Sequence, residues 1–250
     1  LEERGVSNPK DNRQFLKGGD WDAWAKTETD QVRKVPMPEV QKAYPESAET
    51  VDLISPEAFT VGSVSLADVI RKRTSKRLYT AESMTLEELS YLLWATQGVK
   101  KDSQHRTVPS AGARHPFETY LSVHRVAGLR PGLYRYLPLE HRLLVLNADK
   151  HLSSKVAEAC RNQKFAAQSA VTFIWTAVPY RSEWRYDVLA AKVIALDAGH
   201  LCQNLYLAAE SIACGACAIG AYNQDQLDAL LGVDGADEFA VYIAAVGKVN

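Results

Sequence analysis

Residues 133–146 read Leu-Tyr-Arg-Tyr-Leu-Pro-Leu-Glu-His-Arg-Leu-Leu-Val-Leu. Two runs rich in aromatic and branched residues, Leu133–Tyr136 and His141–Leu146, are divided by Pro138-Leu139-Glu140. Proline has no N–H to give a ladder, so it marks the turn and the runs on either side read as strands. A connection this short can only join antiparallel neighbours, because parallel strands need a crossover of a dozen residues or more. Elsewhere helical and strand patterns alternate along the chain. The expected class is therefore α+β with a mixed or antiparallel sheet, not a doubly wound parallel one.

Working outward, residues 117–126 alternate as a strand, and residues 171–178 form an apolar, β-branched run suited to a buried strand. Residues 154–169 are expected to be one helix. Residues 188–213 lack a breaker except Gly199 and are apolar nearly all round. A helix without a polar face belongs in a core or a subunit interface. Asn223 is placed to cap a helix ending at Leu231 before Gly232, and residues 239–246 read as a last buried strand. Upstream, Ser65 can cap a helix whose Leu66, Val69 and Ile70 share a face. Thr85-Leu86-Glu87-Glu88 is a capping box that opens a helix stopping at Gly98. Residues 1–60 hold five of the ten prolines and little periodic apolar surface apart from Trp21 and Trp24. They read as a disordered tail or, as the paired tryptophans favour, an extended arm laid over the body or a partner, with residues 61–250 forming one domain.

The 250 residues carry 29 basic and 30 acidic side chains, a net charge of −1. That balance excludes a phosphate-backbone grip on nucleic acid and a polybasic membrane surface. The longest apolar runs are strand-sized, short of the roughly 20 residues a membrane span needs. Residues 1–15, LEERGVSNPKDNRQF, hold no apolar leader; a cytoplasmic location is expected. Phosphate-loop, dinucleotide-turn, zinc-helix and nucleophile-elbow motifs are all missing. The six histidines show no ligand spacing, so no metal is expected. Cys214-Gly-Ala-Cys217 reads as buried small side chains in an apolar turn rather than a redox couple or half a zinc site.

Three segments carry chemistry. In Arg71–Tyr79, Arg73, Ser75 and Arg77 alternate, so an extended backbone points all three one way. That is an anion grip or, as spacing alone favours, a solvated basic loop. Residues 106–116, RTVPSAGARHP, are small enough for a backbone to approach a planar ligand, or to form an ordinary turn. Residues 218–222, AIGAY, are a second small-residue turn after the long helix.

In this order, RTSKRLY (73–79), LEELSYLLWATQG (86–98), RTVPSAG (106–112), GLYRY (132–136), LDAGHLCQNL (196–205) and IGAY (219–222) resemble the FMN-dependent nitroreductase superfamily, specifically its SagB-type, azoline dehydrogenase-like branch. The resemblance runs from about Ser65 to the C-terminus. It implies a central, mostly antiparallel sheet flanked by helices and an intertwined homodimer with FMN at the subunit interface. It implies that Arg73 and Ser75 hold the FMN phosphate, that Arg77 reaches the pyrimidine edge, and that Pro109, Ser110, Ala111 and Gly112 line the isoalloxazine from the other subunit. The backbone of Ile219 and Gly220 would face N5, and Lys248 would add charge near the phosphate. The implied activity takes hydride from NAD(P)H and passes it to nitroaromatic, quinone-like or related small-molecule acceptors. The alternatives are a flavin dehydrogenase oxidising a small or peptide-derived substrate, and a non-catalytic flavin-binding partner subunit. The branch's azoline dehydrogenases carry Lys-Tyr after the buried strand. Here Arg185-Tyr186 stands there; arginine is a poor base, which leaves Tyr186 as the expected catalytic proton carrier.

Overall fold

The computed structural model describes residues 9–101 and 105–250; most of the stretch read for a leader lies outside them. In chain order the elements are α1 Pro9–Leu16, α2 Trp21–Trp24, β1 Thr50–Asp52, α3 Leu66–Lys72, α4 Leu86–Gln97, β2 Phe117–Val123, β3 Gly132–Leu137 and β4 Arg142–Asn147. There follow α5 Leu152–Ala159, α6 Lys164–Gln168, β5 Val171–Ala177, α7 Tyr180–Tyr186, α8 Ala190–Ser211, β6 Cys214–Ile219, α9 Gln224–Leu231 and β7 Phe239–Lys248.

The hairpin forms as its sequence requires, with Tyr136 opposite Leu143 and Leu137 opposite Arg142. His141 closes the turn at φ 52°. From this pair grows a seven-stranded sheet in the order β1-β4-β3-β2-β5-β7-β6, with every neighbouring pair antiparallel. Side chains alternate across it. On β5, Val171, Phe173, Trp175 and Ala177 join the core shared with α4 and α8, whereas Ile174 joins the core under α5 and α9. Helices thus cover both faces, and α+β with a flanked antiparallel sheet is the fold.

The local signals hold where they are local. Thr85 and Glu88 make the reciprocal capping box and α4 stops at Gly98. Asn223 caps α9, and Gly232 ends it in the left-handed region at φ 71°. Ser65 accepts from Asp68 N at the start of α3.

Other expectations need correction. The helix read over 154–169 is broken in two, because Arg161 and Asn162 take left-handed φ of 58° and 60° between α5 and α6. β2 ends at Val123 rather than at residue 126. Only Val69 of the α3 face is buried; Leu66 and Ile70 are 62% and 59% exposed. Cys214–Cys217 lies in edge strand β6, not in a turn, and Ala218 and Ile219 belong to the same strand. The arm is not extended throughout: α1 opens at Pro9, where a missing N–H costs nothing, and Asp20 caps α2 by accepting from Ala23 N.

The arm crosses the body in a defined path. Arg181 Nε donates to Glu39 O at 2.8 Å, Arg106 to Val40 O at 2.6 Å and Arg135 to Lys42 O at 2.8 Å. Glu118 accepts from Lys42 N at 2.8 Å and pairs with Arg181 at 2.5 Å, both acid and base being buried. Each of three buried guanidiniums thus finds an acceptor on one stretch of arm backbone.

Candidate functional site

The first cluster forms where α3 ends. Arg73 is the C-cap, its backbone turning from helix to extended, and the chain beyond it docks along β6, with Ser75 bridged in parallel to Ala216. Ser75 Oγ lies 3.0 Å from Tyr206 Oη. That same hydroxyl accepts from Ala218 N at 2.7 Å, and the Arg73 guanidinium sits 5.5 Å from the Tyr206 ring centroid. Arg77, exposed, lies 5.8 Å from the Phe165 ring. Among the described residues neither Arg73 nor Arg77 forms an ion pair. Ile219 is buried by its side chain, so only its backbone can meet a ligand. Gly220 has nothing within 4 Å of where a Cβ would stand. The cluster is thus cationic, hydroxyl-bearing and open.

Lys248 differs from this set. Its ammonium is bonded to the Glu88 carboxylate, whose other oxygen accepts from Thr85 N in the capping box.

The second cluster gathers on the turn 109–115. Asp197 of α8, 4% exposed, accepts from Ser110 Oγ at 2.6 Å and from Ala111 N at 3.1 Å. Burial lifts the Asp197 carboxyl above its ordinary range, against the lowering by those two donors. Ser110 Oγ in turn accepts from His115 N at 2.9 Å. Burial, with Arg106, Arg114 and His105 nearby, pushes the His115 imidazole down to about 3, so it is neutral at pH 7. The turn is strained: Ala113 and His115 hold φ of 54° and 48°, beside Gly112 at 56°. Opposite, Asp187 at φ 47° follows Tyr186. These strained segments meet, since a Cβ on Gly112 would lie 2.7 Å from Tyr186 Oη. Tyr186 is buried, stacked 6.0 Å from Trp24, and edge-on to Trp21 at 6.3 Å.

Both clusters stand on α8, and its geometry keeps them apart. Asp197 and Tyr206 are nine residues apart, about 14 Å along the axis and two and a half turns, which puts them on opposite faces. The Tyr206 face also carries Ala195 and Gly199, both exposed. A groove of about 750 Å³ runs beside Ala191 and Ala195, walled by Phe239 and Val241 of β7.

The nitroreductase family profile matches residues 70–248, a span that takes in both clusters. The chain belongs to the nitroreductase family. A protein of Methanocaldococcus jannaschii assigned to the nitroreductases is 31% identical over 200 residues, covering 80% of this chain and 98% of that one. A Ralstonia eutropha structure assigned likewise superposes with a TM-score of 0.68 at 25% identity, covering 86% of this chain and 99% of its own. The fold also matches the NADPH:FMN oxidoreductase of Vibrio harveyi complexed with NAD+, TM-score 0.55 at 19% identity over 74% of this chain and 69% of that one. Membership makes this chain an oxidoreductase of that family. Among the described residues no helix is long and apolar enough to cross a membrane.

Sequence reasoning missed Tyr206 and Asp197. Each anchors one cluster through a partner far along the chain, 131 residues for Ser75 and 87 for Ser110. The only local signal was a polar group among the mostly apolar residues of α8, which also carries Lys192, His200, Gln203, Asn204 and Glu210. Cys160, Cys202 and Cys214 are buried thiols whose pKa burial raises to about 12, which fits inert packing groups.

Proposed function

We propose that this chain is an FMN-dependent oxidoreductase that works as a homodimer, taking hydride from NAD(P)H and passing it to a small, electron-poor acceptor such as a nitroaromatic or quinone. Residues 61–250 are the flavin-binding body and residues 1–60 the arm. The observation that carries the reading is the placement of the two clusters on opposite faces of α8. One chain cannot close them around one ligand, whereas a second chain can bring its turn 109–112 to the first one's Arg73–Tyr206 cluster. The NADPH:FMN oxidoreductase of Vibrio harveyi, which shares the fold, supports both the cofactor and the donor.

The residues fit the cofactor. Two guanidiniums without carboxylate partners among the described residues and a serine hydroxyl suit a phosphate, which takes charged, bidentate bonds best. The open backbone at Gly220 leaves room for a flat ring edge. Lys248, already compensated by Glu88, supports the phosphate only by leaving that pair. Bound FMN supplies two-electron chemistry that amino-acid side chains lack. The chain's part is positioning: Tyr206 fixes Ser75 and the Ala218 peptide, and Asp197 fixes Ser110 and the Ala111 peptide. Tyr186, its hydroxyl against Gly112, is the group placed to give or take the accompanying proton.

The test is a visible absorption spectrum before and after anaerobic NAD(P)H, with light scattering on the same sample. A flavin band that bleaches in a dimer is expected. A protein that stays colourless after incubation with FMN, or a monomer that holds flavin, overturns the reading. The position of Tyr186 favours one second reading, oxidation of a small substrate by the same site. Its signature is a band that bleaches with that substrate and not with NAD(P)H.

A further inference from the structure

α7 is a helix that its own sequence does not hold in place. It has seven residues, opens at Pro179 without a side-chain cap, and stops at Asp187, whose φ is 47°. An isolated helix shorter than roughly 12 residues is marginal in water, and the last carbonyls of any α-helix lack intrahelical donors. Here the arm supplies them. Gln31 N donates to Trp184 O at 2.9 Å and Trp24 Nε1 to Arg185 O at 3.2 Å, which caps the end of α7. The helix donates in return: Trp184 Nε1 to Val35 O at 2.9 Å, Arg181 Nε to Glu39 O at 2.8 Å, and Tyr180 Oη to Asp30 Oδ2 at 2.8 Å. Among the described residues, every long-range hydrogen bond that the arm makes from Trp24 to Glu39 goes to α7.

That concentration separates a support from a cover. An arm that lies over a body bonds to whichever elements it crosses, as residues 40–43 do with Arg106, Glu118 and Arg135. Between Trp24 and Glu39 one stretch of arm serves one short helix, and the last residue of that helix is Tyr186. Trp24 makes two contacts there at once. Its N–H takes the carbonyl that precedes Tyr186, and its ring stacks on the Tyr186 ring at 6.0 Å with an interplanar angle of 29°. Half-buried, Trp24 also packs against the main core, which gives it a fixed base. The Tyr186 hydroxyl meets Gly112, so this side chain is held between the arm and the strained turn.

We propose that the arm is the positioning element of the proton step and Trp24 its positioning residue: by capping α7 and stacking on Tyr186, Trp24 sets where the Tyr186 hydroxyl stands over Gly112. The proposal rests on the reading above for the proton role of Tyr186, but not for the arm's hold on α7. Removing Trp24 leaves Arg185 O without its donor and one face of the Tyr186 ring bare. The end of the helix then opens locally, and the hydroxyl loses its fixed place. The Arg73–Ser75–Tyr206 cluster stands on the other face of α8, so the grip on the cofactor phosphate stays intact.

The experiment uses the full-length protein with Trp24→Ala and Trp24→Phe, the second keeping a ring on Tyr186 while losing the N–H. Hydrogen–deuterium exchange is followed on the amides of α7, with those of α4 and β5 as internal reference. In Trp24→Ala the α7 amides should exchange roughly tenfold faster while the reference amides stay unchanged; in Trp24→Phe the rise should be smaller. With NAD(P)H and nitrobenzene as acceptor, Trp24→Ala should lower kcat about fivefold without changing FMN affinity. In a Tyr186→Phe background the same substitution should change kcat less than twofold, because its effect passes through Tyr186. Unchanged exchange in α7 overturns the proposal, as does faster exchange spread equally over α4 and β5. An equal loss of kcat in both backgrounds also overturns it, since Trp24 then acts through the fold at large, and so does a Tyr186→Phe variant with undiminished turnover. Failure of the oxidoreductase reading shows separately, as a protein that stays colourless with FMN while its α7 amides still respond to Trp24→Ala.

Discussion

Adding one methyl group at Gly112 tests the junction where the strained turn 109–115 meets Tyr186 and Arg185. In Gly112→Ala the new Cβ would stand 2.7 Å from Tyr186 Oη and 2.8 Å from Arg185 Cδ and Nε, so something has to move. The backbone contributes first: at φ 56° a side chain costs about 1–2 kcal/mol in the left-handed region. Tyr186 has little freedom, being stacked on Trp24 and edge-on to Trp21. Turning its ring about 30° off rotamer costs roughly 0.5–1.5 kcal/mol, and each weakened aromatic pair loses up to about 1 kcal/mol. Arg185 yields more easily, as the long end of a flexible chain. The expected loss is about 3 kcal/mol, read from urea melts followed by tryptophan fluorescence. Tyr186→Phe removes the nearest atom, so the same alanine in that background should cost about 1 kcal/mol less, a coupling measurable in a double-mutant cycle. A loss under 1 kcal/mol, or no coupling to Tyr186, refutes the close contact and the strain argument built on it.

Tyr206→Phe deletes the hydroxyl that joins Ser75 Oγ to Ala218 N. About 1–2 kcal/mol of stability and roughly tenfold of FMN affinity should go, by melting and flavin titration; unchanged affinity would remove Tyr206 from the cofactor cluster. Arg181→Ala strands the buried Glu118 carboxylate and frees Glu39 O; about 3–5 kcal/mol should be lost, and a loss under 1 kcal/mol would mean the clamp is dispensable. Burial, opposed by the Ser169 carbonyl and reinforced by the Arg125 charge, pushes the His124 imidazole down to about 4 against an ordinary 6.5. The unfolded chain therefore binds a proton that the native one refuses. That stability is complete above pH 6.5 and falls progressively as pH drops toward 4, by about 3 kcal/mol from this residue alone. His124→Gln should flatten the slope of melting free energy against pH in that window.

What the sequence made legible was local. Caps act across three or four residues, so Thr85 with Glu88 and Asn223 with Gly232 could be read directly. The 133–146 hairpin could be read for the same reason, its register being set by its own turn. The break between α5 and α6 was missed: Arg161 gives no sign of its left-handed backbone, and Asn162, a residue type that enters that region readily, was the one available signal. Nor were the acceptors of Arg106, Arg135 and Arg181. Among these are backbone carbonyls of residues 39–43, and a carbonyl is the one functional group that every residue has. A basic side chain inside an apolar segment signals that an acceptor must exist without saying where.

The same logic explains how the candidate site divides. Arg73, Ser75 and Arg77 are adjacent in sequence, as are residues 109–112, so each set could be recognised as a unit. Their anchors lie on a helix whose pattern is dominated by apolar residues, and a single tyrosine or aspartate there leaves the periodicity almost untouched. Yet the 3.6-residue repeat, once the anchors are known, fixes what a motif cannot. Asp197 at half a turn's offset from Tyr206 faces inward to hold the turn 109–112, while Tyr206 faces the exposed side. One helix thereby supports two clusters that a single chain keeps on opposite faces. Shifting either anchor by two positions along α8 would bring both onto one side, where a single chain could close them around one ligand.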